Sequence, residues 1–323
     1  MNVPVWVWLA TVAGLLLLIA IDLVIVDRKP HEVTTREAAR WVVFYVACAA
    51  VFGAGVWIFA GHDPGVEFFT GYITEYSLSV DNLFIFMVIM ASFKVPLIHQ
   101  HRVLLVGILL ALAMRSVFIA IGAALIAQFV WVFFAFGAVL LWTAVSMLRQ
   151  KDEHEAEYHE NAVTRLARKI YPVSDGYDGH RMFVKRRGRR MMTPMFLVIV
   201  AIGSADLLFA VDSIPAIFGI TQEAFLVFTA NAFALMGLRQ LFFLLGGLVN
   251  KLVYLSYGLA VILGFIGLKL VVHALHEYHV APAWLDVNNW ISLGIIVAVL
   301  TITTLASIAK SKRDSAREAA AAQ

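Results

Sequence analysis

Residues 194–219 read PMFLVIVAIGSADLLFAVDSIPAIFG, an apolar run that contains two aspartates, Asp206 and Asp212. The run exceeds the roughly 20 residues that a helix needs to cross the hydrocarbon core of a bilayer. A helix that is apolar on every face has no side to present to water. The stretch therefore predicts a membrane-spanning helix that carries two carboxylates.

Further runs of this kind account for most of the chain, in which 61% of the residues are hydrophobic and only 15% are charged. They cover roughly 5–26, 41–60, 66–92, 103–148, 224–248, 252–275 and 289–309. The run 103–148 is about twice the length of one span, so we expect two helices that turn near Ala127 and Gln128. The sequence predicts an all-α polytopic membrane protein with about nine transmembrane helices, and it excludes a soluble protein.

Lysine and arginine residues lie almost entirely in alternate loops, which indicates orientation. By the positive-inside rule, the amino terminus is expected outside and the carboxyl terminus in the cytoplasm. Nine crossings, an odd number, likewise place the two termini on opposite sides of the membrane. The basic loop at 180–190 is explained by this topology and by anionic lipid, so a nucleic-acid partner is not expected.

Two in-span segments resemble each other: residues 75–84 read EYSLSVDNLF and residues 206–215 read DLLFAVDSIP. Each has an acid, five residues, an aspartate, and then Asn or Ser. Downstream, residues 112–118 match 236–242 around Arg115 and Arg239, and the next helix of each copy has an aromatic residue followed by glycine, at 136–137 and 257–258, so the repeat is three helices long. An odd number of crossings separates the copies, and the repeat is therefore predicted to be inverted, as in many secondary transporters. Duplication without transport, or chance similarity of apolar segments, is the alternative.

This organisation predicts five parts of the chain. They are two peripheral helices at 1–65, the first three-helix repeat at 66–150, a cytoplasmic basic loop at 151–193, the second, inverted repeat at 194–275, and the last helix with a cytoplasmic tail at 276–323.

Four acids lie well inside the spans, away from their ends: Glu75, Asp81, Asp206 and Asp212. Each ionised group costs about 2.5 to 3.5 kcal/mol at the centre of a membrane helix, so compensating partners are required. Arg115 and Arg239 could pair with the acids as a structural scaffold. A divalent cation or protons could also compensate them, and this is the interpretation we favour.

Helical periodicity places Glu75, Ser79 and Asn82 on one face, whereas Asp81 points about 120 degrees away. The equivalent second-repeat face holds Asp206, Ala210 and Ser213, with Asp212 directed away from it. The two acids of one repeat can converge only if a helix unwinds or if the repeats face each other. Pro215 favours a break after Asp212.

Carboxylate, amide and hydroxyl oxygens suit the hard or borderline ions Mn, Mg and Ca. We therefore expect no permanently bound cofactor, but a transported divalent cation. The predicted metal ligands are Glu75, Asp81, Asn82, Asp206, Asp212 and Ser213, and the predicted charge-orienting residues are Arg115 and Arg239.

Over nearly its whole length the sequence resembles the TerC family of integral membrane proteins, close to its Alx branch. The most specific matches are SVDN at 79–82, FAVDSIPA at 209–216 and YGLAVIL at 257–263. The resemblance implies a bacterial plasma-membrane exporter of Mn(II), linked by name to tellurium resistance. Two departures from the family pattern are Gly203, where a Glu is common, and Ser146, where a Lys is frequent.

Two other classes of protein remain open from the residues. An intramembrane aspartyl-type enzyme could use two of the acids with a shared proton. A membrane scaffold in a stress-response assembly would not need the acids for transport. We expect a transporter and not an enzyme, because the acids repeat symmetrically and the sequence lacks a recognised protease motif.

Overall fold

The structure is a computed structural model. It describes residues 3–26, 34–149, 162–170, 172–174, 176–177, 181–186, 189–245, 254–280, 282 and 287–321, and every structural statement below concerns these residues.

The described chain is built from helices and one short two-stranded antiparallel sheet. In chain order the elements are α1 (Val5–Val26), α2 (Thr35–Ala60), α3 (His62–Ser92), α4 (Leu97–Gln128), α5 (Trp131–Arg149), α6 (Ala162–Ile170), β1 (Phe183–Arg186), β2 (Arg189–Met192), α7 (Pro194–Phe218), α8 (Ala224–Met236), α9 (Leu238–Leu245), α10 (Leu255–Glu277) and α11 (Asn289–Ala321).

The prediction of an all-α polytopic membrane protein is confirmed. Eight helical stretches of the described chain are long and apolar enough to cross a membrane, and they correspond to the second to ninth predicted spans. The first predicted span is the helix α1, whose apolar part, Val5–Ile21, is shorter. The inverted relation of the two repeats stays a prediction, as do the five-part division and the orientation of the termini.

Helix boundaries agree with the sequence in one place and differ in another. The run 103–148 turns between Gln128 and Trp131, as expected. The helix α7, however, continues through Pro215 to Phe218, so the favoured break after Asp212 is absent. A proline removes the hydrogen bond to the residue four positions earlier and crowds the carbonyl group of that residue, but Pro215 lies in the last turn of α7, where little helix remains to be disrupted. The seventh span is interrupted instead, at Gly237 between α8 and α9.

The helix α8 lies at the centre of the bundle and is almost entirely buried. It packs against α3, α4 and α2, while α7 packs against α3 and α4. A membrane helix surrounded by other helices can carry polar groups that lipid would not tolerate. The arrangement of α3, α4, α7 and α8 therefore provides a protein-lined interior for the charged residues of the chain.

The helices α5 and α10 approach each other closely through two glycines. A methyl group at Gly137 would lie 2.9 Å from the carbonyl oxygen of Gly267, and one at Gly267 would lie 3.1 Å from that of Gly137. Small residues permit such close backbone approach between membrane helices. This contact joins the third helix of one predicted repeat to the third helix of the other.

The loop between α5 and α7 contains structure that the sequence did not predict. Part of it forms the short helix α6, and β1 and β2 pair antiparallel, with Phe183 opposite Met192. The Tyr177 hydroxyl donates a 2.8 Å hydrogen bond to the carbonyl oxygen of Phe93, at the end of α3. Burial raises the pKa of Tyr177 to about 12, so this hydroxyl remains protonated at neutral pH.

Candidate ion site in the membrane core

Three charged side chains from three helices meet in the interior of the bundle. Arg115 of α4 donates from Nη1 to Oε1 of Glu75 on α3. It also donates from Nη2 to Oδ1 of Asp206 at 3.0 Å and from Nε to Oδ2 at 3.2 Å. The Asp206 contact is thus bidentate, the strong geometry of a guanidinium and a carboxylate. We call Glu75, Arg115 and Asp206 the core triad.

The core triad is removed from solvent: Glu75 is 0%, Arg115 1% and Asp206 1% exposed. With both acids ionised, one positive charge faces two negative charges, which leaves a net charge of −1. Within the described structure, Oε2 of Glu75 is buried without a hydrogen-bond partner. A buried ionised oxygen is costly unless it is paired. The core triad therefore has unused capacity to bind a cation or a proton.

The faces predicted for α3 and α7 correspond to buried surfaces. On α3, Glu75, Ser79 and Asn82 are all buried. On α7, Asp206, Ala210 and Ser213 are buried. The hydroxyl oxygens of Ser79 and Ser213 are enclosed without a hydrogen-bond partner among the described residues.

The relative depth of α3 and α7 is set by contacts near their ends. The Thr221 hydroxyl, just beyond α7, donates a 2.6 Å hydrogen bond to Oε2 of Glu67 near the start of α3. The helices are therefore antiparallel there. Glu75 lies eight residues along α3 from Glu67, and Ser213 lies eight residues back from Thr221, about 12 Å in each case. Glu75 and Ser213 thus lie at the same depth.

The remaining pair of predicted positions follows the same register. Asn82 lies fifteen residues from Glu67, and Asp206 lies fifteen residues from Thr221. If this register holds along both helices, the backbone of each acid lies near the level of the neutral polar residue of the other copy, and the long side chains of Glu75 and Arg115 bridge the depth between Glu75 and Asp206. The arrangement arises because α3 and α7 are antiparallel and because the same seven-residue spacing separates Glu75 from Asn82 and Asp206 from Ser213.

Asp81 and Asp212 leave the buried faces, as the helical spacing predicted. Both are partly exposed. Oδ1 of Asp81 accepts a 3.0 Å hydrogen bond from the Ser256 hydroxyl at the start of α10. Asp212 lies near enough to Asp81 and Arg115 to interact with both electrostatically. These two acids therefore lie outside the core triad, within electrostatic range of each other.

Arg239, the second predicted charge-orienting residue, is buried on α9. It lines a small cavity together with Tyr45, Leu112 and Met236. Its proposed action on the acids stays a prediction.

The described residues contain no group of three or more His, Cys, Asp or Glu side chains arranged to hold a metal ion. In the conformation observed, Arg115 occupies the space between two of the four acids. The six predicted ligands therefore remain candidates, and a bound cation would have to combine a few carboxylate oxygens with neutral oxygens.

One polar region near the helix ends was missed by sequence reasoning. A polar cavity of about 590 Å³ opens where α3, α8 and α11 begin and where α7 and α10 end. Glu67 lies in its wall and accepts hydrogen bonds from Thr221 and, at 3.0 Å, from Nδ2 of Asn289. Nζ of Lys269 donates to Oδ1 of Asn289 at 2.8 Å. An acid near a helix end was not distinguishable from an ordinary interfacial charge in the sequence.

The fold and this interior define a class: a multi-pass, all-α integral membrane protein with a buried network of charged side chains. Comparison with known sequences identifies the family. The sequence model of the integral membrane protein TerC family matches residues 60–315, and the chain belongs to this family.

Several bacterial relatives match almost the whole chain. An uncharacterized membrane protein of Mycobacterium tuberculosis is 46% identical over 312 residues, which cover 93% of this chain and 78% of the relative. One of Myxococcus xanthus is 41% identical over 305 residues, covering 94% and 92%. Alx of Escherichia coli, for which a role as a membrane-bound redox modulator has been suggested, is 38% identical over 307 residues, covering 92% of each chain. No solved structure matches the chain.

Proposed function

We propose that this protein transports a divalent metal cation across the bacterial plasma membrane, with Mn(II) efflux as its physiological activity. The observation that supports the proposal is the core triad: two acids share one arginine at the centre of the bundle, and an oxygen of Glu75 is left unpartnered within the described structure. Such intramembrane charges mark ion pathways more often than they serve stability alone.

The chemistry of the available ligands favours a hard divalent ion. Carboxylates from Glu75 and Asp206, the amide of Asn82 and the hydroxyl of Ser213 supply only oxygen atoms. Oxygen-rich sites suit Mn, Mg and Ca, whereas Zn and Cu prefer sites with nitrogen or sulfur. The selectivity for Mn(II) rests on the resemblance to the TerC family.

Arg115 acts in this proposal as an internal counter-cation. It neutralises part of the charge on Glu75 and Asp206 while the site holds no ion, and an arriving cation competes with it for their oxygens. A carboxylate with two arginine contacts is harder to free than one with a single contact. A cation is therefore expected to pass the partly exposed acids Asp81 and Asp212 and, within the core triad, to displace the single arginine contact of Glu75 first.

Export of a divalent cation against a negative-inside potential costs about 2.3 kcal/mol per charge per 100 mV. Exchange for protons through the same acids is the simplest source of this energy. We propose that the two inverted three-helix units rock against each other around the site, with the amino terminus outside and the carboxyl terminus in the cytoplasm. Resistance to metal or tellurite stress would follow from export.

The test is Mn(II) flux in proteoliposomes, with Mg(II) and Ca(II) as competitors. We expect flux with the wild type, a loss of about tenfold or more with Asp212→Asn, and no loss with Glu277→Gln, which removes an exposed carboxylate at the end of α10. Collapse of an inward pH gradient should slow efflux if protons are exchanged. A correctly inserted wild type without flux would reject transport and favour an intramembrane aspartyl-type enzyme or a membrane scaffold.

The residues that the structure describes offer no cysteine pair for the redox role suggested for the Alx relatives. The chain has a single cysteine, Cys48, so an intramolecular disulfide cannot form. A change in cellular redox state could follow indirectly from a change in metal content.

A further inference from the structure

Asn231 lies in the middle of α8 and is only 1% exposed. Both polar atoms of its side chain, Oδ1 and Nδ2, are buried without a hydrogen-bond partner in the described structure. An unsatisfied buried amide costs about 1 to 3 kcal/mol. Thr229 lies two residues earlier and is equally buried, but its hydroxyl donates a 2.8 Å hydrogen bond to the carbonyl oxygen of Phe225. The lack of a hydrogen-bond partner at Asn231 is therefore not shared by every buried polar residue of α8.

The neighbours of Asn231 on its own helix face show where its side chain points. Val227, one turn earlier, belongs to the same apolar cluster as Ile214 of α7. Leu235, one turn later, belongs to the cluster that contains Ala205 of α7. Residues four positions apart share a helix face. This face of α8 therefore adjoins two apolar clusters that contain residues of both α3 and α7: Leu78 and Ile214 in one, and Leu83 and Ala205 in the other.

A three-helix contact gives the depth of this position. A methyl group at Gly71 of α3 would lie 3.5 Å from both Ala230 of α8 and Ile217 of α7. One turn further into the bundle, α3 presents Glu75 and α7 presents Ser213. Asn231 follows Ala230 directly, so its side chain lies within about one turn of both.

We propose that Asn231 is a further ligand for the transported divalent cation, binding through Oδ1 together with Oε2 of Glu75 and the hydroxyl oxygen of Ser213. The inference rests on the proposed transport function and names a residue that completes its site. Each of the three oxygens is buried without a hydrogen-bond partner among the described residues, and they come from the three helices that meet at Gly71. A neutral amide adds a ligand without adding charge, which suits a site where Arg115 already compensates part of the acid charge.

The experiment measures Mn(II) flux in proteoliposomes and Mn(II) binding to the purified full-length protein by electron paramagnetic resonance. Asn231→Leu removes both polar atoms at similar volume and should raise the half-saturating Mn(II) concentration about tenfold. Asn231→Asp retains a ligand oxygen and should stay within about threefold of wild type. Thr229→Val is the matched control: it removes an equally buried polar group of the same helix and should leave half-saturation unchanged.

Thermal unfolding without metal separates a ligand from a structural residue. Asn231→Leu should raise Tm, because it removes an unsatisfied polar group. An unchanged half-saturating concentration in Asn231→Leu, with normal wild-type flux, would overturn the role of Asn231 and leave the transport function intact. A lower Tm together with a reduced maximal rate and unchanged half-saturation would assign Asn231 to structure. No Mn(II) flux or binding by folded wild type would reject the transport function and this inference with it.

Discussion

Arg115 of α4 donates hydrogen bonds to both carboxylate oxygens of Asp206 on α7, with Nη2 3.0 Å from Oδ1 and Nε 3.2 Å from Oδ2. The same guanidinium reaches Glu75 on α3. One side chain thus connects the first and the second predicted repeat in the interior of the bundle. The interaction compensates charge, but it also determines which carboxylate oxygens remain available.

Replacement of Arg115 by Gln should destabilise the protein strongly. Two buried carboxylates would lose their counter-charge, which costs about 3 to 5 kcal/mol for a broken buried pair. Thermal unfolding in detergent measures the loss. Arg149→Gln, at the exposed end of α5, should change Tm little. Addition of Asp206→Asn to Arg115→Gln should restore part of the stability, and a strictly additive double variant would contradict the pairing.

Replacement of Gly267 by Val should separate α5 from α10. The added side chain would meet the carbonyl oxygen of Gly137 at 3.1 Å and Leu140 at 3.0 Å already at its first carbon. Overpacking of this kind costs about 1 to 3 kcal/mol. Gly264→Ala on the same helix is the control, because its added methyl would lie 3.7 Å from Ala144, an ordinary contact. Equal Tm values for the two variants would refute close packing at Gly267.

Replacement of Thr221 by Val should loosen the contact between α3 and the end of α7. The variant removes a 2.6 Å hydrogen bond to a carboxylate, which is worth about 1.5 to 3 kcal/mol. Hydrogen exchange near Glu67 and thermal unfolding should both report it. Thr301→Val is the matched control, since the Thr301 hydroxyl donates only within its own helix, to Val297 at 2.7 Å.

Replacement of Tyr177 by Phe should lower stability by about 0.5 to 1.5 kcal/mol, through loss of the hydrogen bond to Phe93. The pKa of Tyr177 is raised from 10 to about 12 in the folded protein. The contribution of Tyr177 to the free energy of unfolding is therefore fully present below pH 10 and is lost as the pH rises through about 12. Tm differences between wild type and Tyr177→Phe, measured against pH, check this. A difference that disappears already near neutral pH would contradict the contact.

Much of the fold could be predicted because membrane insertion depends on local composition. The apolar runs located the described spans, and even the turn near Gln128 followed from length alone. Helical spacing also placed Glu75, Ser79 and Asn82 on one buried face. The interruption at Gly237 was missed because a glycine in an apolar run does not by itself break a membrane helix.

The candidate site was predictable only in part. In-span acids and arginines are visible in any sequence because of their insertion cost, and Glu75, Asp206 and Arg115 were found in this way. Asn231 was missed because a neutral amide in an apolar helix costs less and has many structural uses. Glu67 was missed because its partners, Thr221 and Asn289, lie far away in the chain.

The sequence by itself determined that the chain crosses the membrane repeatedly and that charged groups lie inside the spans, since both depend on the apolar content of continuous segments. Only the tertiary structure decided that Arg115 joins Glu75 to Asp206 and that the buried Asn231 lies beside the contact of α3, α7 and α8 at Gly71. These relations depend on the relative depth and rotation of separate helices. Side-chain packing sets both quantities, and neither is contained in the periodicity of a single helix.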